Sequence, residues 1–297
     1  MVIVKSLKKS LLIIPMALLV ACGGGEKKDE KQTLVVADST KTEQLNEDEN
    51  TMSYILPSPM QIASLFHKAK LKYNEKLLNP ISNASSYGTE TRRTLNIGIY
   101  GADMAYCIIN NQGDKALAYI KAMKELSDKI GMGTIYDNDD ILNRFQKNIN
   151  NVDSLTDIIS TIQTDSEMYL EENDKKFEAL EIFAGGWVEA LYLAGKSVEK
   201  NYSEKIARSI AEQHVALRNL IKLLSDQDRS KNEEFQTVLN GLKEINSIFE
   251  STPGYAKSKA ELNTEEDTEI PFVFDLTKEE VSKLASKCEE VRTKIVQ

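Results

Sequence analysis

The sequence predicts an all-α protein: a multi-helix, roughly antiparallel bundle of about nine helices, preceded by an N-terminal leader and a charged tether. Three observations predict it. Apolar residues recur at 3.6-residue spacing in segment after segment from Ser58 onward. Capping boxes and N-cap residues sit where those stripes begin, and the one β-like run beyond the tether, Ile270 to Phe274, is short and holds Pro271.

The first helix opens at Ser58-Pro59-Met60-Gln61, a capping box with proline at the first helical position. It carries Ile62, Leu65, Phe66, Ala69, Tyr73 and Leu77 until Asn79-Pro80 stops it. A second begins near Thr89. A third is capped by Asp114, carries Ala116, Tyr119, Ile120, Met123 and Ile130, and ends at Gly131. A fourth spans Asp140 to Ile149, with the acids Asp137 to Asp140 read as its cap. A fifth opens at Asp153 or Ser154 with Leu155, Ile158, Ile159, Ile162 and Tyr169. The sixth carries Phe177, Leu180, Ala184, Trp187, Leu191, Ala194 and Val198, and the seventh Ile206, Ile210, Leu217, Ile221 and Leu224. The boxes Ser230/Glu233 and Thr277/Glu280 open the eighth and ninth, separated by a polar stretch with a turn at Pro253-Gly254. No 34-residue signature recurs, which argues against a tetratricopeptide solenoid.

The N-terminal residues carry an address. Lys5, Lys8 and Lys9 precede an apolar run from Leu11 to Val20, and Leu19-Val20-Ala21-Cys22 closes it. The run is about half the roughly 20 residues a spanning helix needs. Its ending resembles the lipobox of bacterial lipoproteins, which implies cleavage after residue 21 and lipidation of Cys22, with several acyl chains giving stable membrane attachment. Residues 22–53 read as a disordered tether with a reach of roughly 30 Å. No Asp follows Cys22 directly, which by resemblance to sorted envelope lipoproteins implies the outer membrane; Lys28-Asp29-Glu30 resembles a surface-export signal. Residues 54–297 form the expected single all-α domain.

Charge and cysteine usage narrow the function. Three of the 37 basic residues leave with the leader and none of the 46 acidic ones do, so the charge of −9 becomes −12 in the mature chain. Such a surface repels phosphate backbones, and nucleic acid is excluded as a partner. Cys107 and Cys288 fall at apolar helical positions and read as buried free thiols. With two histidines, His67 and His214, and no CxxC, neither a zinc site nor any other metal or cofactor is expected. There is no P-loop, dinucleotide fingerprint, HExxH or GxSxG, and the acids at 137–140 lack the glycine and final glutamate of an EF-hand.

Two segments stand out. In residues 95–106, Gly98, Ala102 and Ala105 share one face, consistent either with a close helix crossing or with a crevice holding Asp103 between Tyr100 and Tyr106. In residues 182–194, apolar nearly all round, Glu189 is the sole charge and must be paired or protonated, as a structural anchor or as the ionisable group of a pocket. The candidate crevice is thus Tyr100, Asp103, Tyr106, Trp187, Glu189 and His214, although His214 lies on an apolar stripe and reads as a core histidine. The glycines Gly98, Gly185 and Gly186 are expected at close crossings, with Gly98→Leu costing roughly 1–3 kcal/mol.

The segments Leu-Pro-Ser-Pro-Met-Gln-Ile-Ala (56–63), Asn-Ile-Gly-Ile-Tyr-Gly-Ala-Asp (96–103) and Gly-Gly-Trp-Val-Glu-Ala-Leu-Tyr (185–192) resemble helical lipoproteins of Gram-negative envelopes. The resemblance spans most of residues 54–297 and implies no particular activity. Together these features favour a non-enzymatic binding or scaffold lipoprotein meeting an envelope protein or other ligand; the alternative is a small-ligand binder or enzyme using the Asp103–Glu189 crevice.

Overall fold

The computed structural model describes residues 73–136, 139–200, 202–262 and 274–297. The leader, Cys22, the tether, His67, the part of the expected Ser58 helix before Tyr73, and Ile270 to Val273 lie outside them; the end of that helix, expected to carry Tyr73 and Leu77, is instead a short 3₁₀ turn that Asn74 caps. The described residues belong to one compact unit and are all-α, with no strand among them. Ten α-helices follow in order: α1 (Glu90–Ile109), α2 (Gly113–Asp128), α3 (Asp139–Lys147), α4 (Val152–Glu172), α5 (Lys176–Lys200), α6 (Glu204–Ala211), α7 (Gln213–Ser225), α8 (Glu233–Glu250), α9 (Pro253–Leu262) and α10 (Lys278–Val296). Short 3₁₀ turns cover Glu75–Leu77, Ile81–Ser86 and Gly133–Tyr136.

The central helix is α5, as its all-round apolarity predicts: Leu180, Ala184, Trp187, Val188, Leu191, Leu193, Ala194 and Val198 are buried. It packs chiefly on α1 and α10. At the α1 crossing the backbones nearly touch. A Cβ on Gly98 would lie 1.8 Å from the Ile182 carbonyl oxygen, and one on Gly185 2.0 Å from that of Leu95. Cys107 and Cys288 are buried free thiols.

Helix ends correct several sequence readings. Thr89 caps α1 and the Thr277/Glu280 box opens α10, both as expected. Asp114 does not cap α2. Asn111, at φ 57°, takes the left-handed position that ends α1, leaving Gln112 to flank a helix that starts at Gly113. Asn151, not Asp153 or Ser154, caps α4, its side chain accepting from Ser154 N. Asn232, not Ser230, caps α8, held there because its Nδ2 also donates to Thr91 Oγ1 at 2.8 Å. Pro253 starts α9 instead of a turn, a residue whose missing N–H costs a first helical turn nothing; Thr252 Oγ1 accepts from Tyr255 N. The expected seventh helix is two, α6 and α7, meeting at Glu212. Glu212 keeps helical φ and ψ and the apolar stripe runs past it, so the pattern cannot show the break.

Candidate functional site

The six residues expected around one crevice do not share one. Tyr100, Asp103, Tyr106 and Glu189 are 0% exposed, Trp187 and His214 1%. Asp103 and Glu189 do meet, from α1 and α5, together with Arg292 of α10. Arg292 Nε donates to Glu189 Oε2 at 2.5 Å, its Nη2 donates to the Leu77 carbonyl at 3.0 Å, and its guanidinium lies 4.6 Å from the Tyr192 ring centroid. Asp103 Oδ2 accepts from the Asn79 amide at 3.0 Å.

Two buried carboxyls facing one guanidinium leave one negative charge too many. Burial, and then the Glu189 carboxylate, hold Asp103 well above the ordinary carboxylate range. Burial raises Glu189 too, but Arg292 opposes it. Asp103 Oδ1 and Glu189 Oε1 accept no hydrogen bond from any N–H or hydroxyl among the described residues, and a single proton held on Asp103 satisfies both. The cluster is a neutral, sealed clasp.

Around it, Asn79 is a hub. Its Nδ2 donates to Tyr87 Oη at 2.9 Å and Asn96 Oδ1 at 3.1 Å, its carbonyl accepts from Tyr119 Oη at 3.0 Å, and Asn96 Nδ2 reaches the Ile295 carbonyl at 2.9 Å. Tyr100 Oη donates to the Pro80 carbonyl, and Tyr106 Oη accepts from the Asn74 amide. These tyrosines pin the segment before α1 onto the bundle. His214 sits elsewhere, its ring 5.5 Å from Phe249, 5.1 Å from Tyr255 and 5.9 Å from Phe274. Burial, with the Arg218 charge second, brings its pKa down to about 4, so it is uncharged at neutral pH.

The open space lies on a different face of α1. A groove of about 210 Å³ runs between α1, α2, α4 and α5. Met104, Met123 and Met132 line it with Ile162, Leu170 and Phe183. Its one exposed lining residue, Glu167, lies on α4, and most of its half-buried ones lie along α4 and α5, so its mouth is on that side. One feature marks it. Gly101 lines it, yet a Cβ there would meet only Met123 Cε at 3.6 Å, an ordinary contact. A mid-helix glycine costs about 1 kcal/mol against alanine, and here no close backbone demands it. Ser127 also belongs to its lining and is 1% exposed, but its hydroxyl oxygen is covered and stands beside the Tyr136 hydroxyl.

A second, polar cleft of about 650 Å³ lies between the start of α1, the start of α5 and the 228–234 segment. Glu181, which sequence reasoning missed, lines it at 2% exposure; Thr94 Oγ1 donates to its Oε2 at 2.5 Å, and the Thr91 hydroxyl stands beside it. Its spacing from Phe177 and Ala184 places it on the apolar stripe of α5, a signal that could have found it, whereas Glu189 stood out as the sole charge of residues 182–194. Burial pushes Glu181 up to about 7, against the Thr94 and Thr91 hydroxyls and the Arg229 charge.

The unfolded chain releases the Glu181 proton near 4.5 and the folded protein only near 7, so stability from this group falls as pH rises across that window. Glu181→Gln is therefore expected to match the wild type near pH 4.5 and to exceed it at pH 8 by on the order of 3 kcal/mol in urea unfolding, and equal pH profiles would refute this. His214 acts in the opposite direction, its contribution being lost as pH falls from 6.5 towards about 4.

Among the described residues no group of three or more His, Cys, Asp or Glu is placed to hold a metal ion, and no helix is long and apolar enough to cross a membrane. Comparison with family models, curated proteins and solved structures gives no match. The architecture defines a helical bundle with a sealed polar clasp and a separate apolar groove.

Proposed function

We propose that this chain is a lipid-anchored binding protein of the outer membrane, in which Cys22 carries the anchor, residues 22–53 the tether, and the helical domain a groove for a small ligand. The single observation that supports binding most is the groove itself. It is apolar and open at its mouth. Interiors close-pack, so an apolar concavity of this kind supports a ligand site. Among the described residues of its lining no hydroxyl is hydrogen-bonded to a carboxylate or imidazole, Ser166 Oγ donating to the Ile162 carbonyl instead, which favours binding over catalysis.

The anchor is tested by fractionation. Replacing Cys22 with Ser is expected to leave uncleaved precursor or to move the protein into the soluble fraction, whereas the wild type partitions with outer membranes and into detergent. Retention of the Cys22→Ser protein in the membrane pellet, with unchanged detergent extraction, would remove the lipid anchor from this reading.

A further inference from the structure

We infer that the groove takes one unbranched alkyl chain, the tail of a lipid, and leaves the head group outside in water. This deepens the binding reading above and rests on it.

Polarity decides what the groove can hold. The polar side chains among the described residues of its lining are engaged with one another or with their own helix. The Ser127 hydroxyl is covered and stands beside that of Tyr136, and Ser166 Oγ donates to the Ile162 carbonyl at 2.6 Å. At the mouth, Gln163 Nε2 donates to Glu167 Oε1 at 2.8 Å. No Lys or Arg is among those lining residues. Below the mouth a ligand meets neither a free hydrogen-bonding group nor a counter-charge, so whatever part of it is buried is hydrocarbon.

Small residues make the space. Gly101 lacks a side chain that the space would accept. On α4, Ile159, Ile162 and Leu170 are buried along one stripe, and the position four residues from both Ile162 and Leu170 is Ser166, where a leucine would fill the groove. Met104, Met123 and Met132 give walls that re-pack around a flexible chain.

Shape selects a chain over a ring. The lining follows α1 from Ile97 to Met104 and α5 from Ala179 to Gly186, each roughly 10 Å at the helical rise, and α4 from Ile159 to Leu170, roughly 16 Å. Spread over such lengths, 210 Å³ leaves a section of about 13–20 Å². Carbon atoms pack about 4 Å apart, so that section is the width of one chain. At roughly 30 Å³ for each methylene-sized group, as for one water of the liquid, on the order of seven fit. The proposed anchor and a tether reach of roughly 30 Å keep the domain beside a bilayer, whose lipids carry such chains.

The test uses the chain from residue 22 with Cys22→Ser, which has no acyl chain of its own, carbon-13-labelled at the methionine methyls. Alkyl glucosides from hexyl to dodecyl, below their micellar concentrations, are expected to shift Met104, Met123 and Met132 saturably and to leave Met168, 50% exposed and outside the lining, unmoved. Affinity is expected to rise about fourfold with each methylene as far as octyl, then to level off as further methylenes stay in water. Octylphosphocholine is expected to match octyl glucoside within about threefold, less than the worth of one methylene, because the head stays outside. A ball of similar carbon count, 1-adamantanol, is expected to bind at least about tenfold more weakly, since the groove must overpack to admit it. Gly101→Leu and Ser166→Leu fill the space from two different helices, and each is expected to hold or raise the melting temperature while abolishing the octyl shifts. Adamantanol binding as tightly as the octyl chain, an affinity that ignores chain length, a larger head-group effect, or undiminished binding in either variant when folded would overturn the alkyl-chain assignment. No saturable shift with any probe would overturn the binding reading as well. Fractionation of the Cys22→Ser protein reads the anchor separately.

Discussion

Gly98→Ala is expected to destabilise the protein by more than about 3 kcal/mol, and Gly101→Ala, one turn further along the same helix, to be neutral or stabilising. The substitutions are chemically identical and each improves helix propensity by about 1 kcal/mol. They differ in what the new methyl meets. At Gly98 it is the Ile182 carbonyl oxygen at 1.8 Å and the Gly186 amide nitrogen at 2.6 Å, backbone atoms of the central helix that cannot turn aside; at Gly101 it is the far end of Met123. Relief at Gly98 requires α1 and α5 to move apart, loosening the largest helix pair of the bundle. The roughly 1–3 kcal/mol expected for Gly98→Leu from sequence is accordingly too small. Urea unfolding of both alanine proteins checks this, and a shared sign would refute it.

The clasp supplies the second large effect. Arg292→Met removes the only cation among the described residues that pairs with Glu189 and is expected to cost about 3–5 kcal/mol, because a buried carboxylate is left without its counter-charge. Asp103→Asn is expected to behave in the opposite way. Its amide can donate to Glu189 Oε1 where the proton now does, and its carbonyl can accept from the Asn79 amide. The raised pKa of Asp103 means that the wild type loses stability as pH rises from the ordinary value of 3.8 towards the folded one. The Asp103→Asn protein escapes that loss, gaining about 1.4 kcal/mol on the wild type for each pH unit crossed. Equal pH dependence of the two proteins in denaturant titrations would show that Asp103 is ionised in the fold.

What could be read in the sequence follows from how local the signal is. The central helix was legible because apolarity around a whole circumference has one structural outcome, and the Gly98 crossing because glycines in such helices need a reason. That Glu189 must be paired or protonated was legible as well. Its partner was not, since Arg292 lies 103 residues away in a helix crowded with Lys and Glu. The caps at Asn151 and Asn232 were missed because several side chains near each start can cap, and tertiary bonds such as Asn232 to Thr91 choose among them. The groove left no trace, as a void belongs to no segment. Gly101 was present in the apolar stretch, but nothing in sequence separates a glycine that admits a crossing from one that leaves space.

The threads running from α10 back to the start of the domain bear on when the chain can fold. Asn96 bonds the Ile295 carbonyl across 199 residues, and Arg292 bonds that of Leu77 across 215. Until α10 docks, Glu189 of α5 lacks its Arg292 guanidinium and Asn96 of α1 lacks one of its acceptors, so the half-made chain is expected to be less stable than the whole. Closing such long loops is slow, and a ribosome adding about 5–20 residues per second delivers α10 well after α1. Completion of the clasp is thereby tied to the arrival of α10.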